Sequence, residues 1–162
     1  MRERRFAGVI AFHKERIVLV RERYADWGGD HWNIPSGMVE THETPVLGAM
    51  RELAEETGLV VAQEALELMG TSSTTSGKGN YLAWNYTAII GNADLAVNDP
   101  DGCILEARWF TREESIERLS RLPYRPIVEP VVAYLDGRVE RGSHWVYDAV
   151  DADPDITPLR RV

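Results

Sequence analysis

The first forty residues alternate between apolar runs and polar breaks. Arg5 to Phe12 is apolar and rich in β-branched residues, and Arg16 to Glu22 follows with Ile17, Val18, Leu19 and Val20. A polar bend separates the two runs, which predicts a hairpin or neighbouring strands. Tyr24 to Asp30 holds Asp26-Trp27-Gly28-Gly29-Asp30, the composition of a mobile loop. Trp32 to Pro35 leads into a short extended stretch, Ser36 to Glu40. The period then changes. Thr44 suits a helix N-cap, Pro45 the first helical position and Gly58 a left-handed C-cap, so a helix is predicted over Pro45 to Thr57. Beyond it the pattern predicts a strand from Leu59 to Gly70 and a Ser/Thr/Gly loop from Thr71 to Asn80. A strand from Tyr81 to Ile90, an acidic loop from Asn92 to Gly102 and a strand from Leu105 to Phe110 come next. Thr111 caps a helix running to about Leu119, and a last helix starts at Pro126 or Pro130 and ends near Asp136. The tail from Asp151, with two prolines and few apolar residues, is expected to be loosely ordered. Strands first, one helix between them and helices afterwards suggest an α/β fold, a mixed sheet with helices on both faces.

Composition narrows the class. A chain of 162 residues that is 44% hydrophobic supports one domain with a real core, taken here as residues 1–162. Against 18 Lys and Arg stand 26 Asp and Glu, a net charge of −8. Such a balance argues against nucleic acid and against an anionic membrane as partners. It leaves phosphate substrates open, because a bound divalent metal inverts the local sign of a site. Cys103 is the only cysteine, so neither an intrachain disulfide nor a cysteine-based zinc cluster can form. A lone thiol, with neither a signal-peptide core of normal length nor an apolar span, fits the cytoplasm.

The helix carries the candidate chemistry. At about 100° per residue, Val46, Leu47, Met50, Leu53, Ala54 and Thr57 share one face. Glu52, Glu55 and Glu56 share the opposite face at i, i+3, i+4, with Gly48 one turn above Glu52 and leaving that side open to a ligand. Such a triplet is either a solvated face or a cation site, since water and divalent ions both relieve its repulsion.

The residues around the triplet extend the pattern. Gly37 is followed by Glu43 and then by Arg51-Glu52-Leu53-Ala54-Glu55-Glu56-Thr57-Gly58-Leu59. This resembles the Nudix box, G-x5-E-x7-R-E-U-x-E-E-x-G-U with U aliphatic, at every fixed position. Average residue usage gives such a match a chance on the order of 10⁻⁹ per starting point. The resemblance implies a Nudix-type α/β/α sandwich with a mixed sheet and a loop-helix-loop catalytic motif. It implies hydrolysis of a pyrophosphate bond in a nucleoside diphosphate linked to another group, with magnesium or manganese as cofactor. The metal set carried onto this chain is the Gly37 carbonyl with Glu52, Glu55 and Glu56. Arg51 becomes an orienting residue with Glu43 as a partner, the alternative being an ordinary surface pair with Glu55. The base that orients or deprotonates water is Glu52 or Glu55 within the box, or Glu106 outside it. Glu106 reads equally as a strand residue facing water. The sequence departs from the family pattern at Ser36, where a glycine is common, a change tolerated if the backbone angle is ordinary. His42 could touch a phosphate or simply be a solvent-facing loop histidine.

Substrate markers run out after the box. No proline lies between Pro45 and Pro100, where ADP-ribose hydrolases often carry one, and Tyr81 comes a few residues too late for the dinucleoside polyphosphate group. Nucleoside triphosphates and nucleotide sugars remain as the expected small-molecule partners. A non-catalytic nucleotide-binding sensor is the alternative, and a homodimer is left open. Trp27, Lys78 and Tyr81 are the candidate substrate contacts: Trp27 because its neighbours look too polar to bury it, Lys78 for a phosphate, Tyr81 for a base. Protons and metal compete for the same carboxylates, and magnesium lowers the pKa of water only modestly. Activity should therefore rise from acid towards about pH 8 to 9. A pH–rate profile at saturating magnesium checks this, and a maximum near about pH 5 would contradict it.

Overall fold

The computed structural model describes residues 2–159. Its strands are β1 (Glu3–His13), β2 (Arg16–Tyr24), β3 (Gly29–Asn33), β4 (Ser36–Met38), β5 (Glu67–Ser76), β6 (Gly79–Ile89), β7 (Ile104–Thr111), β8 (Ser143–Tyr147) and β9 (Asp155–Pro158). Its α-helices are α1 (Pro45–Thr57), α2 (Arg112–Leu119) and α3 (Arg125–Leu135). The opening runs are apolar throughout because both their faces are buried. Ala7, Val9, Ala11 and Val18 enter one core, while Ile10, Ile17 and Leu19 enter the other. Ala49 and Leu53 of α1 close the first core. Leu119, at the end of α2, with Val131 and Leu135 of α3 closes the second. The mixed sheet is thus sandwiched between helices, as the sequence implied.

β1 changes partners along its length. At its end it pairs with β2 through Phe12↔Ile17 and His13↔Arg16. Near its start it pairs with β4 through Phe6↔Met38, Ala7↔Gly37 and Gly8↔Ser36. β2 diverges from it and takes β3 and β7 as neighbours. On its other edge β1 runs parallel to β6 from Glu3↔Asn80 to Phe12↔Ile89. The sheet continues through β5, β8 and β9. This split holds the start of the box, Gly37, on β1 and directly beside α1.

α1 has the predicted limits. Thr44 Oγ1 accepts from Leu47 N at 3.4 Å, and Gly58 adopts φ 77° with its N–H bonded to Ala54 O at 2.9 Å. The acidic loop straps the end of this helix through main-chain atoms. Ala96 N donates to Thr57 O and Asn98 N to Glu55 O, both at 2.8 Å. The loop passes so close that a Cβ on Gly58 would lie 2.8 Å from Ala96 O.

Two expectations are corrected. Residues 59–66 form no ladder strand, and the stretch expected to be a loop, Thr71 to Asn80, is mostly the β5–β6 hairpin with its turn at Gly77-Lys78. Ser72 and Thr74 are buried although polar, because Trp145 and Tyr147 of β8 pair beside them. Threonine suits a pleated surface, and hydroxyls on both faces hide the apolar alternation on which a strand prediction depends. The tail is the second correction. β8 was not foreseen, and within the tail β9 pairs with it from Ser143↔Pro158 to Val146↔Asp155. Arg125 also holds the Asp151 carbonyl and the Asp153 carboxylate. The end of that tail, residues 160–162, lies outside the described residues. Trp145 is 5% exposed, so Trp145→Ala should cost about 3–5 kcal/mol in denaturant unfolding. A loss below about 1 kcal/mol would show that the C-terminal strands do not fold with the rest.

Candidate active site

The spacing of the glutamates on α1 left a solvated face or a cation site open, and the structure turns that side of the helix towards protein. Glu56 is 3% exposed and Gly48 is buried, whereas Leu47, assigned to the apolar face, is 43% exposed. The glutamates face the split of the sheet. Alternation along β4 explains what they meet. Gly37 pairs with Ala7 and faces α1, so close that a Cβ on it would lie 2.3 Å from the Glu52 carboxylate. Ser36 pairs with Gly8 and faces the other way, but its N–H donates to Glu56 Oε1 at 2.9 Å. Its φ is negative, so serine replaces the usual glycine without strain.

Glu56 Oε2 is buried and has no hydrogen-bond partner. Burial, opposed by the Ser36 N–H and reinforced by Glu22, Glu52 and Asp99, pushes the Glu56 carboxyl up to about 9. Burial also raises Glu52, against the Arg51 hydrogen bond that lowers it. Arg51 sits among the carboxylates. Its Nε and Nη2 donate to the two oxygens of Glu43 at 2.8 and 3.0 Å. Nη1 donates to Glu52 at 2.8 Å and to Glu55 at 3.3 Å, and Nη2 also reaches Met38 O at 2.9 Å. That fork holds the Glu43 carboxyl below the usual carboxylate range. Gly48 does not open the site to a ligand. A Cβ there would lie 2.9 Å from Glu43 Oε1.

Among the described residues, no three Asp, Glu, His or Cys side chains already stand close enough to hold an ion. Glu52 and Glu55, like Glu43, are instead turned onto Arg51. The donors nevertheless fit a hard divalent cation. All are oxygens, one is an orphaned buried carboxylate oxygen, and the glycine backbone lies against a second carboxylate.

The remaining candidates are more dispersed. Glu106, on β7 opposite Arg21, is clamped by Arg21 Nε at 3.0 Å and Arg108 Nη2 at 2.9 Å. Its burial raises the carboxyl, but the two guanidiniums outweigh that and leave it below the ordinary range. Trp27 is better packed than its polar neighbours suggested. It lies 4.5 Å from the Tyr24 ring and stacks on Tyr124 at 5.8 Å. Lys78 is exposed at the tip of the β5–β6 hairpin, and His42 is exposed near the start of α1. Tyr81 lies on the sheet face away from α1, its ring 6.1 Å from Phe6. Sequence reasoning missed Glu22, whose carboxyl is raised by burial and by Asp99 while Tyr24 pulls it down. It also missed Tyr124. Neither carries a motif, and only the fold brings them to this end of the sheet.

A mixed sheet split at β1, with a carboxylate-bearing helix laid against a short strand that carries a glycine, is the architecture the sequence implied. The NUDIX domain family model matches residues 1–135, and the chain belongs to the Nudix family. A Mycobacterium tuberculosis protein named as a candidate 8-oxo-dGTP diphosphatase is 34% identical over 113 residues, 67% of this chain. The match covers 49% of that protein, so this chain spans about half the length of that relative. An RNA pyrophosphohydrolase from Erythrobacter litoralis is 28% identical over 149 residues, 80% of this chain and 90% of its own. Among solved structures, the NUDIX domain of Shewanella oneidensis NrtR, complexed with ADP ribose, superposes with TM-score 0.69. It is 16% identical and covers 85% of this chain and 89% of that one.

The close approach of Gly37 gives a direct test. Gly37→Ala should displace the Glu52 carboxylate and lower turnover by about a hundredfold or more, with the fold retained by circular dichroism. Wild-type turnover in this variant would show that the contact between Gly37 and Glu52 does not matter to the chemistry.

Proposed function

We propose that this chain hydrolyses the pyrophosphate bond of a small nucleotide, a nucleoside triphosphate or a nucleotide sugar, with magnesium or manganese as cofactor. The observation that carries this reading is the buried, unpartnered Glu56 Oε2 within a complete box. Gly37, Glu52, Glu55 and Glu56 would hold the cation. When bound, the ion neutralises phosphate oxygens and makes water more acidic. Arg51 keeps Glu52 and Glu55 from repelling one another and fixes their direction by holding Glu43 with two bonds. Glu52 suits the role of base best, since burial raises its carboxyl. Glu106 suits it poorly while two guanidiniums hold it. The name of the Mycobacterium tuberculosis relative supports a nucleoside triphosphate as substrate, and that of the Erythrobacter litoralis relative supports pyrophosphate hydrolysis. The unpaired Cys103 suits the cytoplasm, and no helix among the described residues is long and apolar enough to cross a membrane.

The test combines turnover with a measurement that needs no turnover. Phosphate release from a nucleotide panel should require magnesium or manganese and stop in excess chelator. Magnesium at about a hundred times its Kd should raise the Tm of the wild-type protein by about 5 to 10 °C. In Glu56→Gln the metal-free Tm near neutral pH should be no lower than wild type, because an amide of the same size replaces a carboxyl that burial already holds in its protonated form. Its shift with magnesium should vanish together with turnover. Robust release in chelator rules the mechanism out, and nucleotide binding without any turnover favours the sensor.

A further inference from the structure

Arg51 answers the charge of Glu43, Glu52 and Glu55. It does not reach Glu56, which is 3% exposed and whose Oε2 has no partner. A carboxylate outside the box shares that condition. Glu22, on β2, is half-buried, and among the described residues it makes no salt bridge. The arginines on either side of it are engaged elsewhere, Arg21 with Glu106 and Asp30, and Arg23 with Asp30.

Three features of the backbone bring Glu22 to the end of α1 that bears Glu56. Alternation along β2 puts Val18, Val20 and Glu22 on one face, and Val18 packs in the core that α1 closes. The ladder between β2 and β7 slips by one residue at this point, from Arg21↔Glu106 to Glu22↔Ile104. Such a slip re-aims a side chain. The acidic loop then ties the two places together. Asn98 N donates to Glu55 O in the last turn of α1 at 2.8 Å. The next residue, Asp99, accepts with Oδ2 from Cys103 N at 2.7 Å and from Ile104 N, opposite Glu22, at 3.0 Å. Its Oδ1 accepts from Asp101 N, so Asp99 is spent on main-chain groups. Of the charges around Glu56, Glu22 acts on it most strongly, ahead of Glu52 and Asp99. Tyr24 fixes the direction of Glu22. The Tyr24 hydroxyl accepts from the buried Asn33 Nδ2 at 3.1 Å, which leaves its own proton for the Glu22 carboxylate.

We propose that Glu22 is a further ligand, from outside the box, for the divalent cation that Glu56 holds. This rests on the reading of the box as a cation site. A strand and a helix each present a carboxylate at the same end of α1, and among the described residues neither is paired with a basic side chain. An ion that prefers oxygen ligands satisfies the orphaned Glu56 oxygen and Glu22 together. Glu52, the third carboxylate near this point, is turned onto Arg51, and among the described residues no set of three is already closed around an ion.

The experiment measures manganese binding to the full chain, by calorimetry, by the Tm shift and by solvent-proton relaxation of the bound ion, so no readout needs turnover. It compares wild type with Glu22→Gln, Glu22→Ala and Asp101→Asn. Both Glu22 variants should bind manganese about tenfold or more weakly, with a smaller Tm shift. Relaxation per bound ion should rise in both, because water takes the place that the carboxylate leaves. The metal-free Tm of Glu22→Gln should be no lower than wild type, since an amide of the same size replaces a half-buried carboxylate without a cation partner. The result therefore does not depend on the alanine variant folding. Asp101 is exposed and its charge also bears on Glu52, so Asp101→Asn removes a nearby charge that is no ligand. It should weaken binding by less than about threefold. Wild-type affinity in the Glu22 variants overturns the proposal. An equal loss in Asp101→Asn does so too, as the mark of a general field. Weaker binding with unchanged relaxation leaves Glu22 a positioning residue and overturns it as a ligand. A wild-type protein whose Tm ignores both manganese and magnesium sinks the cation reading itself, and the proposal with it.

Discussion

Three of the box carboxylates converge on one guanidinium, and the site depends on that arrangement. Glu43, Glu52 and Glu55 could not share so small a volume without a cation between them, and Arg51 is that cation in the protein itself. Its planar fork matters as much as its charge. Glu43 takes two parallel bonds, leaving the third nitrogen to divide itself between Glu52 and Glu55. A lysine would bring the charge without the geometry. Arg51 also grips the Met38 carbonyl, so the same side chain ties the helix to the strand that presents Gly37. Glu56 stands apart, held by a backbone N–H and not by the arginine. That division leaves one carboxylate oxygen buried and unused, which is the feature most in need of a cation.

The split of β1 turns this local cluster into a site with two sides. Three residues of β4 ride on β1, and their alternation sends Gly37 to the helix and Ser36 to the far face. Gly37 admits no side chain without cost, because the Glu52 carboxylate crowds it.

Much of this was legible in the sequence, and the reasons differ by region. The limits of α1 were fixed by local chemistry, the Thr44 cap, Pro45 and Gly58, and local chemistry survives folding. β1 and β2 were legible because an apolar run buried on both faces has few other readings. β5 was not, since Ser72 and Thr74 are buried beside aromatic residues that come seventy positions later. The box could be read residue by residue, but its environment could not. The spacing of Glu52, Glu55 and Glu56 says that they share a face and does not say whether that face meets water or protein. Trp27 failed in the opposite direction. Its sequence neighbours are polar, while its spatial neighbours Tyr24 and Tyr124 are not.

The strap over the end of α1 has a bearing on how the chain acquires its structure. The last carbonyls of the helix, those of Glu55 and Thr57, receive their hydrogen bonds from Asn98 and Ala96, some forty residues further along. A nascent chain that stops before this loop leaves the helix frayed at the end that bears Glu55 and Glu56. The β5–β6 hairpin and the acidic loop must be in place before the helix is complete. Loop closure of that length slows folding and makes it more cooperative. The final turn of α1, with Glu55 and Glu56, is therefore tied to main-chain atoms far along the chain. A lesion in the acidic loop would be felt as heterogeneity in the helix, seen in amide exchange at its final turn.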